Sequence, residues 1–205
     1  MKKKILIVGA GGHAKSVIDV IESTKKYQII GLIDNDRKKK NKKVLNYKIL
    51  GRDIDLKKIR KYCKLAVIAI GQIKTSQKRK NTFKLLKKLK FSLPVICSSR
   101  SYVSKNAKIK DGTVIFHNAI VNAGTKIGKN CIINTGSIIE HDSDIGDHCH
   151  VSTRAILNGG VILKSNSFIG SGAVIRQDIT IGENCIISAN TFLNKNLNNN
   201  KIFKP

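Results

Sequence analysis

Tryptophan is absent from the 205 residues, and aromatic residues make up only 5% of them. That leaves few rings to stack on bases, so the chain is a poor nucleic-acid binder despite its charge. Acidic residues are also scarce: 13 Asp and Glu stand against 39 Lys and Arg, a net charge of +26. The excess is uneven. Residues 1–94 carry 27 basic against 6 acidic side chains, and residues 101–205 carry 11 against 7. The lysines are scattered over predicted helices and loops, as on solvated faces, and their field also attracts anionic nucleotide ligands. Long apolar runs are missing too. Ile5–Val8 follows Met-Lys-Lys-Lys but gives way at once to glycine, so it reads as a first strand, neither a signal peptide nor a membrane span. Five cysteines, an odd and unclustered number, suit a reducing cytoplasm and exclude a disulfide framework.

What the chain has is a beat of six. Aliphatic residues recur at every sixth position from Val103 through Ile109, Ile115, Val121, Ile127 and onward to Leu193, sixteen in all. No helix has that period. It is the mark of a hexapeptide-repeat parallel β-helix, whose stacked coils share one core. The position two residues earlier is nearly always small, as at Ser101, Ala107, Thr113, Ala119 and Thr125. Gly, Asn and Asp fill the corners, where left-handed backbone is tolerated. Three hexapeptides close one coil of 18 residues. Cys131, Cys149 and Cys185 share the small position of one face, so they are packing residues and not metal ligands; no metal site is expected.

Residues just before each aliphatic position point outward. The first face carries Lys108, Lys126, Asp144, Ile162 and Thr180. The second carries Val114, Ile132, His150, Phe168 and Ile186, and the third Tyr102, Ile120, Ile138, Ile156, Val174 and Phe192. Two apolar faces imply interfaces. With the second face of one chain on the third face of the next, they predict a homotrimer.

Residues 1–94 read as a separate α/β domain and 95–205 as the β-helix domain. Strands are expected at 4–8, 29–33 and 65–70, and helices from the glycine loop to about Glu22 and over 77–88. This alternation predicts a small parallel sheet of Rossmann type. Gly9, Gly11 and Ala14 satisfy a loose G-x-G-x-x-G/A pattern, with Asp34 downstream. Such a loop cradles phosphate at a helix N-terminus, or simply permits a tight strand–helix turn. Only one mononucleotide half precedes the repeat, which favours a nucleotide-linked substrate over a dinucleotide cofactor.

His141 lies in Glu140-His141-Asp142 at a β-helix corner. A neighbouring carboxylate orients an imidazole and raises its basicity, as a general base requires. An ordinary solvated turn has the same composition. Gly159 falls 18 residues later in the same column, and with Gly160 offers backbone N–H groups as oxyanion donors. His150, on the second face, suits a ligand or a cross-chain contact. His117 and His148 read as corner residues.

Gly9-Ala10-Gly11-Gly12-His13 ahead of a hexapeptide β-helix, together with Asn134-Thr135-Gly136-Ser137-Ile138-Ile139-Glu140-His141-Asp142 and its continuation to Ser152, resembles the bacterial nucleotide-sugar acetyltransferases. These include the PglD-type enzyme of the bacillosamine pathway, the perosamine N-acetyltransferases and the sialic acid O-acetyltransferase group. The resemblance covers nearly the whole chain. It implies a left-handed β-helix and transfer of acetyl from acetyl-CoA to the amino group of a nucleotide-linked sugar, with a UDP-linked 4-amino-4,6-dideoxy sugar expected. The alternatives are O-acetylation of a sialic or related nonulosonic acid, or N-acetylation of a GDP- or dTDP-linked amino sugar. By resemblance His141 is the base and Asp142 raises its basicity. His150 and Gly159 contact acetyl-CoA, and Ser171 and Ala189 line the CoA groove. Gly11, Gly12, His13, Asp34, Asn35, Gly71 and Arg79 hold the nucleotide sugar. One departure is plain: the family often ends in a Gly-x-Pro-Ala-Lys segment near CoA, whereas this chain ends Asn199-Asn200-Lys201-Ile202-Phe203-Lys204-Pro205.

Overall fold

The computed structural model describes residues 2–39 and 41–204. The chain divides into two compact units, one of Met1–Gly71 with Lys78–Pro94, the other of Gln72–Gln77 with Val95–Pro205. Gln72–Gln77 group with the second unit, although they precede residue 94 in the chain.

In the first unit, β1 (Lys3–Val8), β2 (Tyr27–Ile33), β4 (Tyr47–Gly51) and β5 (Leu65–Ile68) run parallel, and β3 (Lys43–Val44) forms a hairpin with β4. The sheet order is β3-β4-β2-β1-β5. Ile5 to Val8 are buried on both faces, which is why they form an unbroken apolar run instead of an alternating one. Helix α1 (Gly12–Ser23) buries Ala14, Val17, Ile18, Val20 and Ile21, a stripe at helical spacing. α2 (Leu56–Ile59) is a single turn and α3 (Gln77–Lys88) covers the β5 side, burying Phe83 and Leu86. Gly9 must be glycine: its φ is +108°, and a Cβ there would lie 2.9 Å from the carbonyl oxygen of Ala69.

In the second unit each hexapeptide contributes a two-residue strand, and successive coils pair in parallel at the 18-residue register, as Ile132 with His150 and His150 with Phe168. Three sheets result, of six, five and seven strands among the described residues. The aliphatic column is essentially sealed from solvent: Ile133, Ile139, Val151, Leu157, Ile169 and Leu193 expose nothing. Each such side chain contributes about 1.5–3 kcal/mol of hydrophobic stabilisation.

The small positions do more than fit. Thr113 Oγ1 donates to the Gly128 carbonyl (2.8 Å), Cys131 Sγ to Gly146 (3.1 Å), Cys149 Sγ to Lys164 (3.2 Å) and Ser167 Oγ to Gly182 (2.8 Å). Each satisfies a corner carbonyl fifteen residues on, so on this face the column holds small donors, whereas Ala119, Ala155 and Ala173 on another face only fit. Burial pushes the Cys149 thiol well above its usual range, which keeps it unreactive. Cys97 proves to be the strand residue six before Val103; it is no isolated cysteine but the first member of the repeat column, packed against the core.

Two expectations about the outer surface change. The second face is not exposed: Val114, Ile132, His150 and Phe168 are all buried within the chain. Part of the cover is Gln72–Gln77. His150 Nδ1 donates to the Gln72 carbonyl (2.6 Å), Gln72 Nε2 to the His148 carbonyl (2.9 Å) and Ser76 Oγ to Asn166 Oδ1 (3.2 Å). The pairing of second face on third face is thereby overturned, because the second face is already occupied. The third face remains open, with Tyr102 59% and Phe192 58% exposed at its two ends.

The divergent tail also finds a place. Ile202–Phe203 adds a strand to Ile186–Ile187 at a register of sixteen residues, so the last coil is two residues short. Asn196 and Asn199 accept the backbone N–H of Thr180 and Glu183 (both 2.8 Å), so the asparagine run finishes the ladder where the repeat stops. Among the described residues no helix is long and apolar enough to cross a membrane.

Candidate active site

The first unit holds a cavity of about 680 Å³ at the carboxyl ends of β1, β2 and β5. Gly11, Gly12, His13, Asp34, Asn35 and Gly71 all line it, as the glycine-loop reading requires. A Cβ on Gly11 or Gly12 would have no atom within 4 Å, and Gly11 sits at φ −86°. Neither packing nor backbone geometry demands glycine at these two places. What the bare backbone leaves is room for something to approach it closely.

Asp34 serves the loop more than the cavity. Its carboxylate accepts Ala10 N–H (2.8 Å), Asp36 N–H (3.0 Å) and Lys39 Nζ (3.2 Å). Burial by itself would push the carboxyl up; the Asp36 and Ala10 hydrogen bonds and Lys39 outweigh it and hold the group below its ordinary value. Asn35 and Asp53 clamp one another, Asn35 Nδ2 donating to Asp53 Oδ2 (2.6 Å) and Asp53 N–H to Asn35 Oδ1 (3.0 Å).

Arg79 does not line this cavity. It is 1% exposed, and its Nη1 donates to the carbonyls of Ile68 (2.9 Å) and Ile70 (3.0 Å). The guanidinium ties down the end of β5 just before Gly71, so it positions the wall and is not offered to a ligand. The sequence reading missed Asp36, Lys39, Asp53, Lys78, Asn81 and Thr82, all of which line the cavity. Lys78, Asn81 and Thr82 share one face of α3 by their i, i+3, i+4 spacing, a signal that was legible. Lys39 and Asp53 sit in charged turns that carry no pattern.

The second unit holds a smaller cavity of about 260 Å³, lined by His141, Asp142, Gly159, Gly160, Gln177 and Asp178. These are three successive coils at one corner. His141 Nδ1 donates to Asp142 Oδ2 (2.9 Å), which leaves the basic lone pair on Nε2. The ring lies directly over Gly159: a Cβ there would stand 2.7 Å from both Cε1 and Nε2. The Asp142 hydrogen bond raises the His141 pKa above its ordinary value; desolvation opposes it, and the charges of Asp142, Glu140 and Asp178 add to the rise. Glu140 is itself held by Asn122 Nδ2 (2.7 Å). The Gly160 N–H is committed to the His141 carbonyl (2.9 Å), so of the two expected oxyanion donors only Gly159 keeps that role open.

His150, Ser171 and Ala189 are not in this cavity. His150 is buried on the second face with both ring nitrogens engaged, Nδ1 by Gln72 and Nε2 by Asn134 Nδ2 (3.3 Å), and its ring meets Phe168 edge-on at 5.1 Å. Both ring nitrogens are thus engaged by groups of this chain. Ser171 and Ala189 are exposed on the edge between the second and third faces, whereas His141 occupies the edge between the third and first. Of the remaining histidines, His117 shares a 2.5 Å hydrogen bond with Ser98 Oγ and His148 accepts from Asn130 Nδ2 (2.9 Å). Among the described residues no cluster of His, Cys, Asp or Glu is placed to hold a metal ion.

Known proteins match each unit. Residues 4–85 match the PglD N-terminal domain, residues 160–195 the bacterial transferase hexapeptide and residues 106–140 the hexapeptide repeat of succinyl-transferase. Among solved structures, PerB from Caulobacter crescentus, in complex with CoA and GDP-perosamine, is 28% identical over 97% of this chain and 92% of its own, with a TM-score of 0.91. The acetyltransferase domain of PglB from Neisseria gonorrhoeae, in complex with acetyl coenzyme A, is 26% identical over 97% and 94%, with a TM-score of 0.89. WeeI from Acinetobacter baumannii shares the fold at 23% identity and a TM-score of 0.84, over 98% and 96%. No curated protein matches. Fold and repeat together define a hexapeptide-repeat acyltransferase built on a left-handed parallel β-helix. Within that class the chain is similar to the PglD-type enzymes: residues 4–85 match the PglD N-terminal domain, and an α/β domain precedes the solenoid.

Proposed function

We propose that the chain is an acetyl-CoA-dependent N-acetyltransferase acting on the amino group of a nucleotide-linked sugar, with a UDP-linked 4-amino-4,6-dideoxy sugar as the expected substrate. The observation that carries this reading is the His141–Asp142 pair, with Nε2 poised over the bare backbone of Gly159. The structural relatives solved with CoA and GDP-perosamine, or with acetyl coenzyme A, support the substrate class.

Gly11, Gly12, His13, Asn35 and Gly71 bind the nucleotide portion, with Asp34 and Arg79 holding the loops that form the walls. Acetyl-CoA supplies the activated acyl group. His141 Nε2 takes the proton as the amine attacks the thioester carbonyl. Asp142 keeps the ring in the Nδ1–H tautomer and stabilises the imidazolium that forms, which then returns its proton to the departing thiolate. The Gly159 N–H faces the developing oxyanion. A positioned general base contributes about 10²–10⁴-fold and one oxyanion donor about 10²–10³-fold.

The working unit is proposed to be a homotrimer. The open third face supplies an apolar surface, and its two edges carry His141 on one side and Ser171 with Ala189 on the other. A cyclic arrangement sets one edge of a chain beside the opposite edge of its neighbour, uniting base and CoA groove. It also covers a pair that is 66% and 74% exposed in the single chain. Light scattering at three chain masses is the expected result, and a monomer contradicts it. Five free cysteines suit a cytoplasmic location.

The test is thiol release from acetyl-CoA by the purified chain against UDP-, GDP- and dTDP-linked 4-amino sugars and their 4-hydroxy counterparts. Release with an amino sugar alone supports the reading. Release only with the hydroxy sugars, or with a free nonulosonic acid, overturns it in favour of O-acetylation.

A further inference from the structure

We infer that Gly124, one coil before the candidate base, is a positioning residue whose missing side chain seats the Asp142 carboxylate against His141. The inference rests on the catalytic reading of His141 given above. Gly124 and Asp142 occupy the same corner position in adjacent coils, both with left-handed backbone (φ +76° and +60°). A Cβ on Gly124 would collide with Asp142 Oδ1, while the other carboxylate oxygen accepts the His141 Nδ1–H at 2.9 Å. Asp142 N–H donates to the Ala123 carbonyl (3.0 Å), so its backbone is fixed and the side chain cannot escape the collision by shifting the turn. The pair is thus bracketed by two bare backbones: Gly124 beneath the carboxylate and Gly159 beneath the imidazole.

The left-handed backbone does not by itself require glycine at this place. At the equivalent position of another corner, Asn130, His148, Asn166 and Asn184 stack in four successive coils with φ between +54° and +66°. Glycine recurs at two further corner positions where the following coil folds an Asp or Asn side chain back over it, while Gly136 lies beneath Arg154. Gly160 lies beneath Asp178 Oδ1 and Gly172 beneath Asn190 Oδ1 in the same manner. The solenoid therefore uses a bare glycine to seat a corner carboxylate or amide, and at Gly124 the seated group is the partner of a histidine.

The consequence can be read at His141. The carboxylates facing its ring are Asp142, through the hydrogen bond, and Glu140 and Asp178 through charge. If a side chain at 124 displaces Asp142, the ring loses the strongest of these, and its pKa falls toward the ordinary histidine value. The neutral base then persists to lower pH, and the acid limb of the rate profile moves down, while the rate falls because the ring is no longer held.

The experiment compares Gly124→Asn with Gly112→Asn, a change at a left-handed glycine on another corner, in the full-length protein. His141 is titrated by NMR, and kcat and KM are measured with an amino-sugar nucleotide. Gly124→Asn is expected to lower the His141 pKa and to cut kcat about tenfold or more with KM unchanged. In an Asp142→Ala background it should cost nothing further, because the seated group is gone. Gly112→Asn should leave both readouts at parental values. An unchanged His141 titration overturns the inference, as does an equal loss in the Asp142→Ala background. So does failure of both Gly124→Asn and Gly124→Ala to fold while Gly112→Asn folds, since the glycine would then serve the coil and not the pair. The titration needs no turnover, so it stands even if the acetyltransferase reading fails, which the thiol-release panel decides separately.

Discussion

The two units build a site by opposite means. The solenoid repeats one rule sixteen times from Val103 to Leu193, and at one of its corners His141 and Asp142 meet Gly159 and Gly160. The α/β unit follows no repeat, and its cavity is assembled from turns far apart in sequence: the glycine loop, Asp34–Asp36, Asp53 and one face of α3. Regularity fixes where the side chains of that corner stand, because every neighbouring coil is held by the same ladder. Irregular loops give variety of lining but need internal ties, here Asp34 to Ala10, Asn35 to Asp53 and Arg79 to the end of β5. One scaffold suits a fixed chemical step, the other the recognition of a variable ligand.

Changes in each unit should separate these roles. The largest effect is expected from His141→Ala, which removes the base and lowers kcat by about 10²–10⁴-fold. Nucleotide-sugar affinity, measured by calorimetry, should stay near the parent value. Next in size is Leu157→Ala in the solenoid core, which leaves a buried cavity and costs about 2–5 kcal/mol in chemical denaturation. That loss should appear in the solenoid without a change in KM for the nucleotide sugar at temperatures where the coil persists.

Smaller, and confined to the other unit, is Gly12→Ala. Its Cβ meets nothing in the folded chain, so melting temperature should hold or rise slightly, while KM for the nucleotide sugar rises several-fold and kcat at saturation does not. A melting temperature that drops with unchanged KM would return the glycine loop to a purely structural role.

The smallest effect is on pH. Asp34 titrates below its ordinary value in the folded chain, so the stability it contributes is complete above the unfolded carboxylate pKa, near 4, and is lost as pH falls through the lower folded value. Asp34→Asn should therefore flatten the acid side of the stability profile of the α/β unit and leave the neutral side parallel to the parent.

The same contrast explains what could be read from the sequence. The six-residue beat from Val103 to Leu193 made the solenoid, its three faces and the His141–Gly159 column legible, because periodicity alone fixes which side chains are neighbours. It could not show that the second face is covered, since that depends on Gln72–Gln77, a stretch with no pattern of its own. Nor could it show that the tail continues the ladder, because a sixteen-residue coil breaks the count. In the α/β unit the glycine loop was legible from local geometry, but Arg79 was not. A guanidinium that ties β5 carbonyls and one that binds a phosphate look alike in sequence, and only burial distinguishes them. The surroundings of His150 were hidden for a similar reason: Gln72 and Asn134, which bond its ring, lie 78 and 16 residues away.

The division of labour is tested most directly by steady-state kinetics of Gly12→Ala and His141→Ala side by side, with an amino-sugar nucleotide and acetyl-CoA both varied. The account predicts that Gly12→Ala raises KM for the nucleotide sugar alone and that His141→Ala lowers kcat alone. It is contradicted if His141→Ala turns over at the parental rate, or if the two variants lose activity in the same parameter.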